Sequence, residues 1–300
     1  MMKATADLAR SITWNGSKQT YYTARLMVDK DLVDDFLRAY AYFRWADDII
    51  DVSSRSEEER ISFITRQKSL VDQLYRCENP GMLTPEEEII ADLIRNDRWE
   101  NSGLQSFIRN MLGIIAFDAH RKGRVISQEE LTRYSECLSR SVTDGLQYFI
   151  GNGYPYRNSE NQYLAATGAH VAHLLRDMVR DTADGFINIP REYLDQHRIT
   201  PVDLESNPFR AWVKERVELA RRYFEEGRRY LDDLGVLRCK IVGHWYCARF
   251  EGVLDAIERD GYILREVYRE GRKFSSWFKI AGMGLSLTFR HKPEKETGKL

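Results

Sequence analysis

Ala39-Tyr-Ala-Tyr-Phe-Arg-Trp-Ala-Asp-Asp-Ile-Ile-Asp51 is the stretch of sequence from which a fold and a site can both be predicted. Its apolar and aromatic residues indicate a buried helix. Asp47 and Asp51 are four residues apart, so both carboxylates lie on one face, and Asp48 points about a quarter turn away. A buried pair of like charges is costly unless a cation compensates it. Mg²⁺ suits such a pair, because it binds carboxylate oxygens and completes its coordination with water and phosphate.

A second stretch, His173-Leu-Leu-Arg-Asp-Met-Val-Arg-Asp181, repeats this spacing with Asp177 and Asp181. His173 lies one turn before Asp177, and apolar residues again flank the acids. Two helices with inward-facing pairs would hold about two or three Mg²⁺ around one diphosphate. Arg44 and Arg176 are placed to neutralise phosphate oxygens. The pattern alone leaves two interpretations open, a metal site and a structural acid pair.

Asp31 and Asp35 have the same spacing in a different context. They open a predicted helix beside Asp29 and Asp34, where acidic side chains suit the positive end of the helix dipole. We therefore predict a structural role for this pair.

Capping signals predict an all-α chain. Ser56, Thr84, Ser127 and Ser159 each stand at capping-box spacing from an acid or an amide, and Asn207-Pro208 opens another helix. The predicted helices span 17–28, 31–52, 56–77, 85–97, 102–121, 128–150, 160–183, 208–234, 238–260 and 272–287. We expect about ten helices in a single domain over 1–290, followed by a polar tail over 291–300.

Composition excludes several classes of protein. The chain has 300 residues, of which 43% are hydrophobic, so disorder does not describe it as a whole. Its 45 basic and 46 acidic residues provide no global attraction to nucleic acid. No cysteine pair has C-x-x-C spacing, and the absence of any E-x-x-H pair argues against a di-iron bundle. No glycine motif follows a predicted strand, so the sequence does not support an NADPH site.

Neither a signal peptide nor a transmembrane helix is predicted, and we expect a cytoplasmic protein. The N-terminus lacks a continuous apolar run, and the best candidate span, 103–120, contains Arg109 and Asp118. The basic residues over 265–273, near the aromatic residues over 274–278, are compatible with peripheral contact to a membrane surface. A solvated helix face is the preferred interpretation of that run. The sequence does not predict the oligomeric state.

The chain resembles the squalene/phytoene synthase family, the head-to-head branch of the trans-prenyl synthases, from about Ser17 to Tyr268. The first family motif, R-x-x-D-D-x-x-D, resembles residues 44–51, and the second, N-x-x-R-D-x-x-x-D, resembles residues 173–181. The N-terminal S-K-S-F-Y element is echoed in residues 17–21, and the R-x-x-L-D-x-I-E-x-D-x-Y pattern is echoed in residues 249–262.

This resemblance implies an isoprenoid synthase-like helical bundle with a central cavity and a Mg²⁺-dependent reaction through a cyclopropylcarbinyl diphosphate. The metal ligands that it implies are Asp47, Asp48, Asp51, His173, Asp177 and Asp181. The diphosphate-binding residues that it implies are Ser17, Lys18, Tyr21, Arg44 and Arg176. The catalytic residues that it implies are Tyr134, Arg44 and Arg176.

Several positions depart from the family's pattern. His173 replaces an asparagine, and imidazole suits Mg²⁺ less well than an amide oxygen does. Arg180 stands where the family usually has an acid, and Arg140 replaces a glycine in the helix that Tyr134 leads. The G-R-x-Y-L-P element, which corresponds to residues 185–190, loses an arginine and a tyrosine. These changes bear on the outcome of the reaction more than on the fold.

We expect an enzyme that condenses two prenyl diphosphates, farnesyl or geranylgeranyl diphosphate, head to head with release of diphosphate. The product would be of the squalene or phytoene type, in triterpene or carotenoid biosynthesis. One alternative is a single-substrate class I terpene synthase with the same diphosphate clamp. The other is a non-catalytic binding or assembly protein of this fold. The sequence fixes neither the substrate chain length nor whether a reductive step follows.

Overall fold

The prediction of an all-α chain is confirmed. The computed structural model describes residues 2–51, 55–97 and 99–268, and within them lie eleven α-helices, a short 3₁₀ turn at Lys30–Leu32 and no strand. The helices are α1 Met2–Gly16, α2 Lys18–Met27, α3 Val33–Asp51, α4 Glu57–Tyr75, α5 Pro85–Asn96, α6 Gly103–Arg121, α7 Gln128–Phe149, α8 Leu164–Ala183, α9 Arg191–His197, α10 Asn207–Asp232 and α11 Leu237–Arg259.

The chain divides into two compact units, Met1–Gly153 and Tyr154–Leu300. Helices α1–α7 belong to the first unit and α8–α11 to the second. The expectation of a single domain over 1–290 stays a prediction. The predicted helix 272–287, the polar tail 291–300 and most of the basic and aromatic run after Arg265 lie outside the described residues. Arg265 itself forms an ion pair with Asp260.

Capping boxes begin three of the helices, as predicted. Ser56, Thr84 and Ser127 each accept a hydrogen bond from the backbone N–H three residues on, whose glutamate accepts one in return. The fourth predicted start was wrong, because Ser159 lies in a turn and α8 begins only at Leu164. Sequence analysis also missed two helices, α1 and α9. The buried face of α1 consists of small residues such as Thr5, Ala6, Ala9 and Thr13, and no capping box marks the start of this helix.

A chain of buried polar side chains holds helix α3 in the core of the first unit. Helix α3 packs against α1, α5 and α6. The Tyr42 hydroxyl donates to Gln67 Oε1 at 2.9 Å, and Gln67 Nε2 donates to Glu87 Oε1 at 2.9 Å. Because buried hydrogen bonds are costly to leave unmade, this chain fixes α3 against α4 and α5. It thereby determines which residues of α3 face inward.

In the second unit, small residues allow α8 and α10 to approach closely. An alanine Cβ at Gly227 would lie 2.3 Å from the backbone nitrogen of Ala165, and one at Gly168 would lie 3.0 Å from the carbonyl oxygen of Ala220. Helix α8, which carries the second acidic stretch, also packs against α11. The backbone contact between α8 and α10 therefore sets the position of that stretch within the unit.

We predict that Gly227→Ala lowers the free energy of unfolding by about 1–3 kcal/mol, because the added methyl group overpacks the contact with α8. Urea-induced unfolding measures this change. Gly252→Ala is the matched control, since Gly252 lies within α11 and a Cβ there meets nothing within 4 Å. The control should raise the free energy of unfolding by about 0.5–1 kcal/mol through helix propensity. A neutral Gly227→Ala would contradict the close packing of α8 and α10.

Candidate functional site

The first acidic stretch lies near the end of α3, where it carries concentrated negative charge. Ala46 and Ile50 are buried, whereas Asp47 is half-buried and Asp51 is exposed. Burial raises the pKa of Asp47 to about 7, and the negative charges of Asp51 and Asp118 add to this shift against the opposing charge of Arg44. A carboxylate with this environment is stabilised by any cation that approaches it.

Asp48, the acid next to Asp47, forms an ion pair with Arg44, which lies one turn before it. Arg44 Nη2 lies 2.6 Å from Asp48 Oδ1, and both side chains are about half exposed. This hydrogen bond, together with the charge of Asp48, raises the pKa of Arg44. The expected metal ligand Asp48 and the expected phosphate ligand Arg44 thus form an ion pair on α3.

Ser17 is linked to α3 through a residue that the sequence analysis missed. Ser17 caps α2 by accepting hydrogen bonds from the backbone N–H of Thr20 at 3.1 Å and from its hydroxyl at 2.8 Å. The Ser17 side chain also hydrogen-bonds to Tyr40, which lies one turn before Arg44. Tyr40 therefore positions the cap of α2 beside the first acidic stretch.

Lys18 and Tyr21 lie in an aromatic cluster of α1 and α2. Lys18 Nζ is 5.2 Å from the centre of the Trp14 ring, and the Tyr21 ring meets Trp14 edge-on at 5.2 Å. Arg25 Nη1 donates to the Tyr21 hydroxyl at 3.2 Å. Their expected role in binding phosphate stays a prediction.

Asp118, Arg121 and Tyr134 form a third polar group in the first unit. Arg121 Nε donates to Asp118 Oδ1 at 2.6 Å, and the Tyr134 hydroxyl donates to Asp118 Oδ2 at 3.2 Å. Tyr134 was expected as a catalytic residue, but Asp118 and Arg121 were missed. Their only signal in the sequence was a pair of opposite charges three residues apart, in a helix that also carries Arg109. The negative charge of Asp118 acts on Asp47, as described above, and Asp51 acts on Asp118.

The second acidic stretch has the opposite electrostatic character, because cationic groups surround Asp177. Arg176 donates to both oxygens of Asp177, from Nε at 2.9 Å and from Nη2 at 2.7 Å. His173 Nε2 lies 2.9 Å, and Arg180 Nη2 3.4 Å, from Asp177 Oδ2. Burial would raise the pKa of Asp177, but the hydrogen bonds from His173 and Arg176 outweigh burial and hold the pKa well below its ordinary value.

Two residues that depart from the family's pattern after Asp177 contact Asp181. Asn188 is fully buried and donates from Nδ2 to Asp181 Oδ2 at 3.1 Å. The backbone N–H of Phe186 donates to the carbonyl oxygen of Asp181 at 2.7 Å. The loop after α8 therefore supports Asp181 even though the arginine and the tyrosine of the element are missing.

The C-terminal pattern of the second unit forms ion pairs between helices. Arg221 of α10 donates from Nη2 to Asp255 and to Glu258 of α11, at 2.7 Å in each case. Arg210 donates to the carbonyl oxygen of Gly261 at 2.9 Å. These contacts give Asp255 and Glu258 a structural role in holding α10 against α11.

A small cavity of about 230 Å³ in the second unit contains no residue of either acidic stretch. Tyr154, Arg157, Asn158, Tyr230 and Asp233 are among the residues that line it. None of the expected site residues lines it.

The two acidic stretches differ in how well they fit a metal ion. Within the described ranges, no three His, Cys, Asp or Glu side chains converge into a ready-made metal site. Mg²⁺ does not require one, because it commonly binds through one or two carboxylates together with water and substrate phosphates. Asp47 and Asp51 fit such an ion, since their repulsion would be relieved by it. Asp177 fits less well, since Arg176 already donates to both of its oxygens.

A sequence model of squalene/phytoene synthases matches residues 15–275. The chain belongs to the squalene/phytoene synthase family. Solved structures agree on the fold of this family member. One, squalene synthase HpnC from Alicyclobacillus acidocaldarius, is 21% identical with a TM-score of 0.70 over 88% of this chain and 97% of the other. Another, a dehydrosqualene synthase in complex with ligand, is 14% identical with a TM-score of 0.71 over 96% of this chain and 98% of the other.

The expected fold, an all-α squalene synthase-like fold, is thus confirmed, and the resemblance to the family is confirmed with it. Among the helices of this family member that the structure describes, none combines the length and the hydropathy needed to cross a bilayer.

We predict opposite effects of pH on two amide variants, both measured with a chelator present. The pKa of Asp47 is raised to about 7 in the folded protein, so Asp47 destabilises the fold as pH rises from about 4, its unfolded value, to 7. Asp47→Asn should therefore raise the free energy of unfolding by about 1–2 kcal/mol at pH 8 and change it little at pH 4.

Asp177→Asn is the matched variant, and it should change the free energy of unfolding in the opposite direction. Because the pKa of Asp177 is lowered on folding, its carboxylate stabilises the fold above about pH 4, and that contribution is lost as the pH falls further. We expect Asp177→Asn to lower the free energy of unfolding by about 1–3 kcal/mol at pH 8, with a smaller effect in acid. Denaturant titrations across pH measure both variants, and effects of the same sign at pH 8 would contradict the charge assignment.

Proposed function

We propose that this chain is a Mg²⁺-dependent prenyltransferase that joins two prenyl diphosphates head to head and releases diphosphate. The substrate would be farnesyl or geranylgeranyl diphosphate, and the product would be a hydrocarbon of the squalene or phytoene type. Membership of the squalene/phytoene synthase family supports the reaction class. The substrate, the metal and the product are parts of the proposal.

The contrast in charge between the two acidic stretches is the observation that carries this proposal. Asp47 and Asp51 present negative charge that a divalent cation would compensate. The second stretch instead brings Arg176 and Arg180, together with the imidazole of His173, to one carboxylate, and arginines also bind phosphate oxygens. A diphosphate bound to a metal ion requires both kinds of group. A purely structural pair of acids would require neither.

The residues have distinct roles under this proposal. Bound Mg²⁺ would stabilise the negative charge on the leaving diphosphate as an allylic C–O bond breaks. Asp47 and Asp51 would hold the metal, with Asp177 and Asp181 as further ligands. Arg44 and Arg176 would neutralise phosphate oxygens by exchanging their present carboxylate partners for phosphate. Tyr134 would contact the reacting prenyl group from α7.

We predict that Asp47→Asn and Asp177→Asn each lower the rate of diphosphate release at least about 100-fold, because each removes charge that binds the metal–diphosphate group. A pyrophosphate assay with farnesyl diphosphate and Mg²⁺ measures the rate. Asp31→Asn is the matched control, since Asp31 has the same spacing to Asp35 but lies exposed in the 3₁₀ turn. The control should retain wild-type activity. Full activity in either of the other variants would rule out the proposed clamp.

The product must be identified as well, because diphosphate release alone does not distinguish coupling from a one-substrate reaction. Mass spectrometry of an organic extract, with farnesyl or geranylgeranyl diphosphate and with or without NADPH, gives the carbon number. A product with twice the carbon number of the substrate supports the proposal. A product with the substrate's own carbon number would indicate a terpene synthase. Neither product nor diphosphate from folded protein would favour a binding role.

A further inference from the structure

Three residues of α6 contact Tyr134, namely Phe117, Asp118 and Arg121. Its ring lies 5.3 Å from that of Phe117 and is tilted to it by 37°. The guanidinium carbon of Arg121 lies 4.8 Å from the centre of the Tyr134 ring and 5.5 Å from that of Phe117. Arg121 thus makes cation–π contacts with both rings, and such contacts are strong where water is excluded. The side chain of Arg121 is only 4% exposed.

The hydroxyl of Tyr134 is held in one orientation by the ion pair beneath it. It donates its proton to Asp118 Oδ2 at 3.2 Å, while Arg121 Nε donates to Asp118 Oδ1 at 2.6 Å. Arg121 also hydrogen-bonds to the Tyr134 side chain. Because an arginine has no acceptor, it must donate in that bond. The direction of each hydrogen bond is therefore determined, and the phenol proton points to Asp118.

The network also keeps the phenol neutral. Burial, assisted by the negative charge of Asp118, raises the pKa of Tyr134 well above its ordinary value. The phenol therefore retains its proton throughout the physiological range. A neutral phenol with a fixed proton presents its remaining lone-pair density in a fixed direction.

A second buried ion pair in the same unit, between Arg38 and Asp35, provides a comparison outside the expected site residues. Arg38 Nη1 lies 2.7 Å from Asp35 Oδ1, with the same spacing of three residues and with side chains that are 5% and 9% exposed. Its additional contact is the amide of Asn96, at 2.8 Å from Asp35. Asp118 differs because its additional contact is a phenol and because its charge acts on Asp47.

We propose that Asp118 and Arg121 are positioning residues for Tyr134, which set the direction of its hydroxyl dipole for the reaction. This inference rests on the proposed function, in which Tyr134 contacts the reacting prenyl group. It requires no covalent step and no additional cofactor. It assigns to α6 a role in the chemistry that goes beyond packing against α7.

A double-mutant cycle in the full chain tests this proposal. We expect Tyr134→Phe to lower kcat for diphosphate release about 100-fold, within the range typical of a positioned side chain that assists the reaction. Asp118→Asn should lower kcat about 10-fold to 100-fold with little change in KM. If Asp118 acts through Tyr134, the double variant should be no slower than Tyr134→Phe by more than about 3-fold. Losses that multiply in the double variant would overturn the proposal.

Two further variants separate positioning from stability. Asp35→Asn is the matched control, since it weakens a buried ion pair of the same kind, and it should lower Tm without changing kcat in either background. Arg121→Lys keeps the positive charge but loses the planar donor geometry and the stacking on both rings. It should lower kcat as Asp118→Asn does. An Arg121→Lys variant with wild-type kcat would overturn the role of Arg121.

The proximity of Asp118 to Asp47 calls for a binding measurement, because Asp118 could instead be a ligand of the metal. Calorimetry with Mg²⁺ and inorganic pyrophosphate measures this binding without turnover. We expect Asp118→Asn to weaken it less than about 5-fold and Asp47→Asn to weaken it far more. Equal losses in the two variants would identify Asp118 as a metal ligand and overturn the positioning role.

A spectroscopic measurement keeps this inference separable from the proposed function. In protein labelled with ¹³Cζ-tyrosine, the resonance of Tyr134 is assigned by its disappearance in Tyr134→Phe. Asp118→Asn should shift this resonance, because the acceptor of the phenol proton changes, whereas Asp35→Asn should not. An unmoved resonance would overturn the proposal even if the wild-type protein turned over no prenyl diphosphate. A moved resonance with no turnover would instead contradict only the proposed function.

Discussion

The negative charge that α3 carries within apolar packing is the constraint that sets the electrostatics of the candidate site in the first unit. Ala46 and Ile50 are buried on either side of Asp47, so the carboxylate cannot be fully hydrated. Arg44 bonds to Asp48 and only partly offsets the repulsion that Asp51 and Asp118 exert on Asp47. The folded protein thus retains unfavourable electrostatic energy at the end of α3. Such a cost is expected where an external cation is to be bound, because binding relieves it.

The same spacing of two aspartates has opposite electrostatic results in the two units. On α3 the neighbours of Asp47 are mainly acidic, and its pKa is raised to about 7. On α8 the neighbours of Asp177 are basic, and its pKa is lowered. The i,i+4 pattern places the carboxylates on one face in both helices, but the charge of that face comes from residues around it. Two equivalent metal sites are therefore a less accurate description than one acidic and one cation-rich site.

Sequence analysis predicted helix starts and acid pairs, which depend on residues three or four apart. It missed residues whose contacts depend on packing between helices. Capping boxes at Ser56, Thr84 and Ser127 predicted helix starts, because the hydrogen bonds join residues three apart. The buried face of α1 is made of alanine and threonine, and no capping box marks its start, so that helix was missed. The aspartate pairs were found by spacing. Tyr40, Asp118 and Arg121 were not, because their importance arises from contacts between α2 and α3 and between α6 and α7 that no short pattern encodes.

Arg140 stands where the family has a glycine, and its effect on α7 depends on which face of the helix carries the added side chain. A glycine at this position would leave space on whichever face it occupies, and an arginine on an inward face would fill it. Arg140 is exposed, whereas its neighbours Ser139 and Ser141 are 2% and 0% exposed. The buried face of α7 at this point therefore still consists of small side chains, and the arginine has been added on the outside. Ser141 donates to the carbonyl oxygen of Phe107, so the small residues of this face allow α7 to pack closely on α6, and Arg140 leaves that packing unchanged.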